Sequence, residues 1–324
     1  MRFLLFLLLA GLLVSLTACE SLINEVDPDR LPTVERKLAV QCYISPQDSL
    51  LMATVTLSQP VLEPRNSAIS SEIKVVLTEG NRSIELKYDP KQYAHVADSR
   101  LFPIVAGKTY RLAVQWRELS ASASCTVPEA VPITSARLDS TRESNNWGGG
   151  SSRWIYDARL TWKDPVGQAD YYRVAGELRA NQWVTLSRYV AGQSRPDTFQ
   201  RRLFMQSPLF FDATSQHISD LSQDGQSITS PKGNLPNYLS YTYFDSLSNG
   251  SYNGYIPLTQ RPVSVSVMLL HVDKNYYDYH RTLQQQGDIE GNPFAEPVLI
   301  PTNITGGLGC FAAYNRTTMT ISLN

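Results

Sequence analysis

The chain has 324 residues with 42% hydrophobic and 18% charged composition and a formal net charge of -1, a balance that excludes the basic stripe a nucleic-acid partner requires. Its 4 cysteines are too few for a disulfide scaffold, and no apolar run is long enough to span a bilayer, the one near the N-terminus included. Aromatic content leans to tyrosine, 17 Tyr against 10 Phe and 5 Trp, a residue that suits strands and contact surfaces alike.

The first element is an export signal. Arg2 supplies positive charge, Phe3 to Leu16 is an almost unbroken apolar run, and Leu16-Thr17-Ala18-Cys19 resembles a bacterial lipobox. That resemblance implies removal of residues 1–18 and lipidation of Cys19 by a thioether-linked diacylglycerol and an N-acyl chain. Each buried methylene contributes about 0.8 kcal/mol, so several acyl chains anchor a protein durably. The chain is therefore expected outside the cytoplasm, tethered to a membrane through Cys19. Residues 19–36 read as an extended tether with Pro28 and Pro32 and no sustained period.

From Lys37 the pattern turns to strands. Leu38, Val40, Cys42 and Ile44 alternate with Ala39, Gln41 and Tyr43, a period of two. Met52 to Leu57 follows, then a hairpin of 73–78 and 84–88 around Glu79-Gly80-Asn81-Arg82, then Thr109 to Trp116 and its partner 118–127. Short strands at regular spacing predict an immunoglobulin-like β-sandwich over 37–129, ended by Pro128 and Pro132. A second, β-rich and sandwich-like domain is expected over 130–324. Its strands are predicted at 133–140, 154–162, 171–178, 183–189, 201–211 and 263–272, the last one central, with a long polar loop over 214–237. In strand 154–162, Trp154, Tyr156, Ala158, Leu160 and Trp162 share one face. A helix is predicted over 273–286, with Asp273 as N-cap and Gly287 just past its end. Tyr276, Tyr277, His280 and Leu283 form the face expected to pack on the sheet. The fold class is thus mainly β, with two sandwich-like domains and one helix near the C-terminus.

This C-terminal block resembles the domain of unknown function 4249 family of Bacteroidota lipoproteins. The resemblance rests on the strand, the tyrosine-rich helix with Tyr276, Tyr277 and Tyr279, the run Asn292-Pro293-Phe294-Ala295-Glu296-Pro297, and Gly306-Gly307-Leu308-Gly309 before an aromatic strand. Leu38 to Ile44, Ala106-Gly107-Lys108-Thr109-Tyr110-Arg111-Leu112 and the Val127-Pro128 exit extend it through the first half. It implies a non-enzymatic outer-membrane lipoprotein that assists a TonB-dependent receptor in nutrient uptake, and it transfers no catalytic residue. Glu20 followed by Ser21, Leu22, Ile23 and Asn24 is a weak match to an acidic surface-export signal, so the periplasmic or outer face stays open.

No residue pattern names a chemistry. Gly107-Lys108-Thr109 lacks the upstream glycine and following helix of a phosphate loop. His95, His217, His271 and His280 show no ligand spacing, so neither a metal nor a cofactor is expected. There is no Gly-x-Ser-x-Gly elbow. Cys42, Cys125 and Cys310 are odd in number and read as buried free thiols, with a Cys42–Cys125 bridge as the alternative. Loops are the remaining candidates for binding. Trp147, in a Gly/Ser loop, is the first choice for contact with a partner, or else folds back over the sandwich edge. Tyr241 and Tyr243, in a cluster with Tyr238 and Phe244, suit sugar or peptide stacking if they are not simply a strand face. The competing readings are a hydrolase, carbohydrate-active or otherwise, built from loop carboxylates, and a purely structural envelope protein.

Overall fold

The computed structural model describes residues 35–59, 72–144, 152–188, 197–212, 216–236, 238–245, 250–257, 264–289, 292, 294–296 and 298–322. Cys19 and Trp147 lie outside the described residues. The first seven strands are β1 (Leu38–Ile44), β2 (Leu50–Leu57), β3 (Lys74–Glu79), β4 (Arg82–Asp89), β5 (Ala94–Asp98), β6 (Thr109–Trp116) and β7 (Leu119–Thr126). Then come β8 (Ile133–Ser144), β9 (Ser152–Lys163), β10 (Tyr171–Arg188), β11 (Asp197–Pro208), β12 (Phe210–Phe211), β13 (His217–Ser219), β14 (Ser227–Thr229) and β15 (Gly233–Asn234). The chain ends with β16 (Tyr238–Asp245), β17 (Gly250–Pro257), β18 (Ser264–Val272), the helix α1 (Lys274–Asp288) and β19 (Gly307–Ser322). The protein is mainly β and sandwich-like, with its helix near the C-terminus. No described helix is long and apolar enough to cross a membrane.

Alternation builds the first sandwich. Along β1, Leu38, Val40, Cys42 and Ile44 point inward and are at most 1% exposed. In β6, Tyr110, Leu112 and Val114 do the same, while Arg111 and Gln115 face outward. Hydrogen-bonded neighbours run β1-β2-β5-β4-β3-β6-β7. The row then curls back, because Ser122 of β7 exchanges two backbone hydrogen bonds with Thr305, just before β19. Phe311, Ala313 and Ile304 belong to the same core as Leu38 and Val75, so the last strand completes the first sandwich.

Strand β19 serves both halves. Gly307 to Ala313 pair in parallel with Leu38 to Ile44, and Tyr314 to Ser322 pair antiparallel with Val272 to Ser264. Its glycines make the first contact achievable. A Cβ on Gly309 would sit 2.0 Å from the Val40 carbonyl oxygen, and the residue has φ +106°. A Cβ on Gly306, at φ +76°, would lie 2.5 Å from the Ser120 carbonyl oxygen. Only glycine fits such close backbone approaches at positive φ.

In the second half, β18 lies between β10 and β19 and is buried along most of its length, as the sequence pattern predicted for a central strand. Strand β9, with Ala158, Leu160 and Trp162 fully buried, packs over it to form a second core with Tyr172, Val174, Val265 and Leu269. Val127 belongs to the first core and Val131 to the second, so the chain changes cores across Pro128.

Several predicted elements differ from the structure. Strand β10 is one 18-residue strand where two were expected, because Arg179 to Gln182 continue the pairing with β11 through a polar stretch. The expected loop over 214–237 contains the short strands β13, β14 and β15, held by edges that local sequence does not reveal. Helix α1 continues through Gly287 to Asp288 and is capped at Ile289. Its buried face holds Tyr279, whereas Leu283 is 41% exposed. All three described cysteines are free and buried.

Candidate functional site

The helix entry is fixed by Asp273. Its Oδ1 accepts from the Tyr276 amide (2.8 Å) and its Oδ2 from the Ala313 amide (2.8 Å), tying α1 to the point where β19 changes partners. This capping sets the first helical turn against β1 and β10. Tyr276, Tyr279 and His280 are thereby directed at Tyr43, Gln41 and Arg173. The Gln41 amide donates to the Tyr279 hydroxyl (3.0 Å), and Arg173 Nη1 donates to the Tyr276 hydroxyl (2.5 Å).

A cleft of about 580 Å³ opens at this junction of the two sandwiches. Tyr43, Tyr276, Tyr314 and His280 give it aromatic walls; among the described residues, Arg173 is the cation and Asp48 the anion lining it. The rings support one another: Tyr276 and His280 centroids are 4.2 Å apart, Tyr43 and His280 5.0 Å, and Tyr43 and Tyr276 5.4 Å with edge-to-face tilt. Such edge and offset arrangements are the favoured ones for aromatic pairs. The Tyr314 hydroxyl donates to the Asp48 carboxylate, 2.9 Å from each oxygen. Behind it, the Gln47 amide donates to Asn315 Oδ1 (2.7 Å) and Asn315 Nδ2 donates to the Pro128 carbonyl (3.0 Å), so the β1–β2 turn, the linker and β19 are latched together.

Burial keeps the imidazoles and phenols around the cleft uncharged. Burial, then the Arg173 guanidinium, push His280 down to about 4, with His217 adding to it. Burial and Arg173 likewise lower His217 to about 4. The Tyr43, Tyr276 and Tyr314 hydroxyls are pushed up, burial being the largest cause in each. Asp48 is raised by burial against the pull of the Tyr314 hydrogen bond and Arg316. At neutral pH the walls are protonated phenols and neutral imidazoles. His280 Nε2 is buried without a hydrogen-bond partner among the described residues.

Tyr241 and Tyr243, singled out from the sequence, lie elsewhere. Tyr241 is half-buried against the second core and fills the space beside Gly254. Tyr243 sits in a ring cluster with Phe199 and Tyr252, and its hydroxyl accepts from Arg201 Nε (3.2 Å). Neither lines the cleft. The tyrosine-rich helix face, expected from the sequence to pack on the sheet rather than to bind, also supplies Tyr276 and His280 to the cleft. Tyr43 and Tyr314 carried no signal beyond being aromatic residues in strands.

A family model described as Domain of unknown function (DUF4249) matches residues 23–320. No curated protein and no solved structure matches the chain.

Proposed function

Because the chain belongs to the DUF4249 family, we propose that it is a non-enzymatic, lipid-anchored outer-membrane protein that works beside a TonB-dependent receptor in nutrient uptake. Its interdomain cleft binds the ligand. The composition of that cleft carries the reading. Tyrosine rings offer faces for stacking, and Arg173 and Asp48 offer one polar anchor of each sign. Internal hydrogen bonds hold both anchors in place, Asp48 through the Tyr314 hydroxyl and Arg173 through the Tyr276 hydroxyl.

The hydrolase reading fares less well at this site. A glycosidase of the usual kind needs two carboxyl groups across the scissile bond, and among the described residues Asp48 is the only acid lining the cleft. The accessory reading also has surface to draw on. Trp183 on β10 and Phe204 on β11 lie on one face of their ribbon and are 66% and 63% exposed; Tyr238, Phe244 and Tyr255 are exposed on the β16–β17 ribbon. Exposed aromatic clusters are favoured contacts for partner proteins.

The test is affinity purification of the native lipidated protein from its own membrane, with mass spectrometry of what accompanies it. Stoichiometric recovery of a TonB-dependent receptor is the expected outcome. Recovery of the protein alone, under detergent conditions that preserve a control receptor complex, refutes the partnership.

A further inference from the structure

Two loops at one end of the second sandwich carry three buried carboxylates. Asp164 to Asp170 (Asp-Pro-Val-Gly-Gln-Ala-Asp) joins β9 to β10, and Asp220 to Gln226 (Asp-Leu-Ser-Gln-Asp-Gly-Gln) joins β13 to β14. The loops are stitched together by the Asp164 amide donating to the Gln226 carbonyl (2.9 Å) and the Asp220 amide donating to the Asp170 carbonyl (3.2 Å). Asp164, Asp170 and Asp220 are 2%, 3% and 1% exposed, and each offers a carboxylate oxygen within 4.8 Å of the other two.

Proximity alone would mean little. The second observation is that the donors run out. Asp164 is satisfied by the Tyr172 hydroxyl (2.5 Å) and the Gly225 amide (2.9 Å). Asp170 Oδ1 meets His271 Nε2 (3.0 Å) and the Gln168 amide (3.1 Å), but its Oδ2 is buried with no partner. Asp220 Oδ1 is also buried with no partner. No described Lys or Arg lies within ion-pair distance of any of the three, and His271 offsets at most one negative charge. A buried carboxylate without a counter-charge or hydrogen bond costs several kcal/mol, which is why buried charges are paired or coordinate metals.

We propose that Asp164, Asp170 and Asp220 bind a hard divalent cation of the calcium class. All three donors are oxygens, the ligand type hard cations select, and bonds of about 2.3–2.6 Å to calcium bridge oxygens at this spacing. The unpartnered Asp170 Oδ2 and Asp220 Oδ1 are the atoms with lone pairs free for it. The cation would pin the β9–β10 and β13–β14 loops to each other. This assignment stands apart from the cleft and from any receptor.

The neighbouring rings supply a probe. Tyr172 donates to Asp164 and lies 5.2 Å from Trp162, so terbium at the site is excited through the aromatic band. The mature chain is stripped with chelator and titrated with terbium and then calcium, and its melting temperature is followed with calcium or magnesium. Expected are saturable terbium emission that calcium displaces and a rise in melting temperature of about 5 °C with calcium. Both are expected to disappear in Asp170→Asn and Asp220→Asn. In chelator these variants should melt no lower than the parent, since each removes a repelling charge, and that separates loss of metal from loss of fold. The proposal is overturned if terbium emission is absent or not displaced by calcium. It is also overturned if Asp220→Asn keeps the calcium response, or if the variants melt lower than the parent equally with and without calcium. A shift with magnesium and none with calcium would overturn the calcium assignment.

Discussion

Replacing Gly309 by alanine tests the seam where the last strand meets the first. The new Cβ would lie 2.0 Å from the Val40 carbonyl oxygen, 2.9 Å from its carbonyl carbon and 3.0 Å from its amide nitrogen. All three are backbone atoms, so no side chain can swing away. Holding alanine at φ +106° costs about 1–3 kcal/mol by itself. Relieving the clash requires β1 and β19 to part locally, which breaks two or three ladder hydrogen bonds at roughly 1 kcal/mol each and loosens the packing of Val40 and Phe311, both 0% exposed. The total is on the order of 5 kcal/mol, at the extreme of single substitutions. Gly80→Ala is the control. Gly80 also has positive φ (+54°), but nothing lies within 4 Å of its added Cβ, so the expected loss is about 1 kcal/mol. Urea unfolding of the protein, read as the shift in midpoint at unchanged slope, measures both. If Gly309→Ala loses no more than Gly80→Ala, the seam does not have the geometry described.

Other substitutions probe the junction and the anchor. Between an unfolded value of 6.5 and a folded value of about 4, His217 and His280 bind protons more readily in the unfolded chain. Their contribution is therefore complete above pH 6.5 and lost as pH falls toward 4, about 2 kcal/mol per imidazole after solvent screening. Asp273, raised to about 6 by burial, works the opposite way over nearly the same range. The clean readout is thus the difference between parent and His217→Gln/His280→Gln: the parent should lose stability relative to the double variant as pH drops from 7 to 4, and parallel curves would contradict the assignment. Asp273→Ala removes the cap of α1 and orphans the Ala313 amide, with an expected loss of about 3 kcal/mol in the same urea assay; a loss below about 1 kcal/mol would count against it. Cys42, Cys125 and Cys310 should resist a thiol reagent in the folded protein and react in denaturant, because burial pushes Cys42 up to about 12 and raises the other two as well. Cys19→Ala should release the protein from membranes into the soluble envelope fraction; retention on the membrane would contradict the lipobox reading.

Strands that bury one face are the legible part of this chain. Leu38 to Ile44 and Thr109 to Trp116 announce themselves by alternation, and β18 by its continuous apolar run, since the period of two is what a half-buried strand requires. The helix was visible from Asp273 and the tyrosine spacing, although Gly287 was misleading: an isolated glycine marks a helix end only when a left-handed turn follows. The cleft was not legible. Its walls come from Tyr43, Arg173, Tyr276 and Tyr314, residues that meet only because β19 pairs with both β1 and β18. No local pattern encodes that parallel register. The acidic site was hidden for a related reason. Asp164 and Asp170 lie between the strands expected at 154–162 and 171–178, and Asp220 lies in the loop expected over 214–237, so only the pairing of β13 and β14 brings the third beside the first two.

The sharing of β19 also sets an order of events. Strand β1 is among the first of the described strands to leave the ribosome, and the partner it needs is the last of them. Until Gly307 to Ala313 arrive, β1 has an open edge and the core around Val40 lacks Phe311. Contacts so distant along the chain are slow to form, and exposed edges invite mispairing while they wait. Neither half is therefore complete until the C-terminal strand is laid in, and a truncation anywhere before Gly307 removes the strand that both of them share.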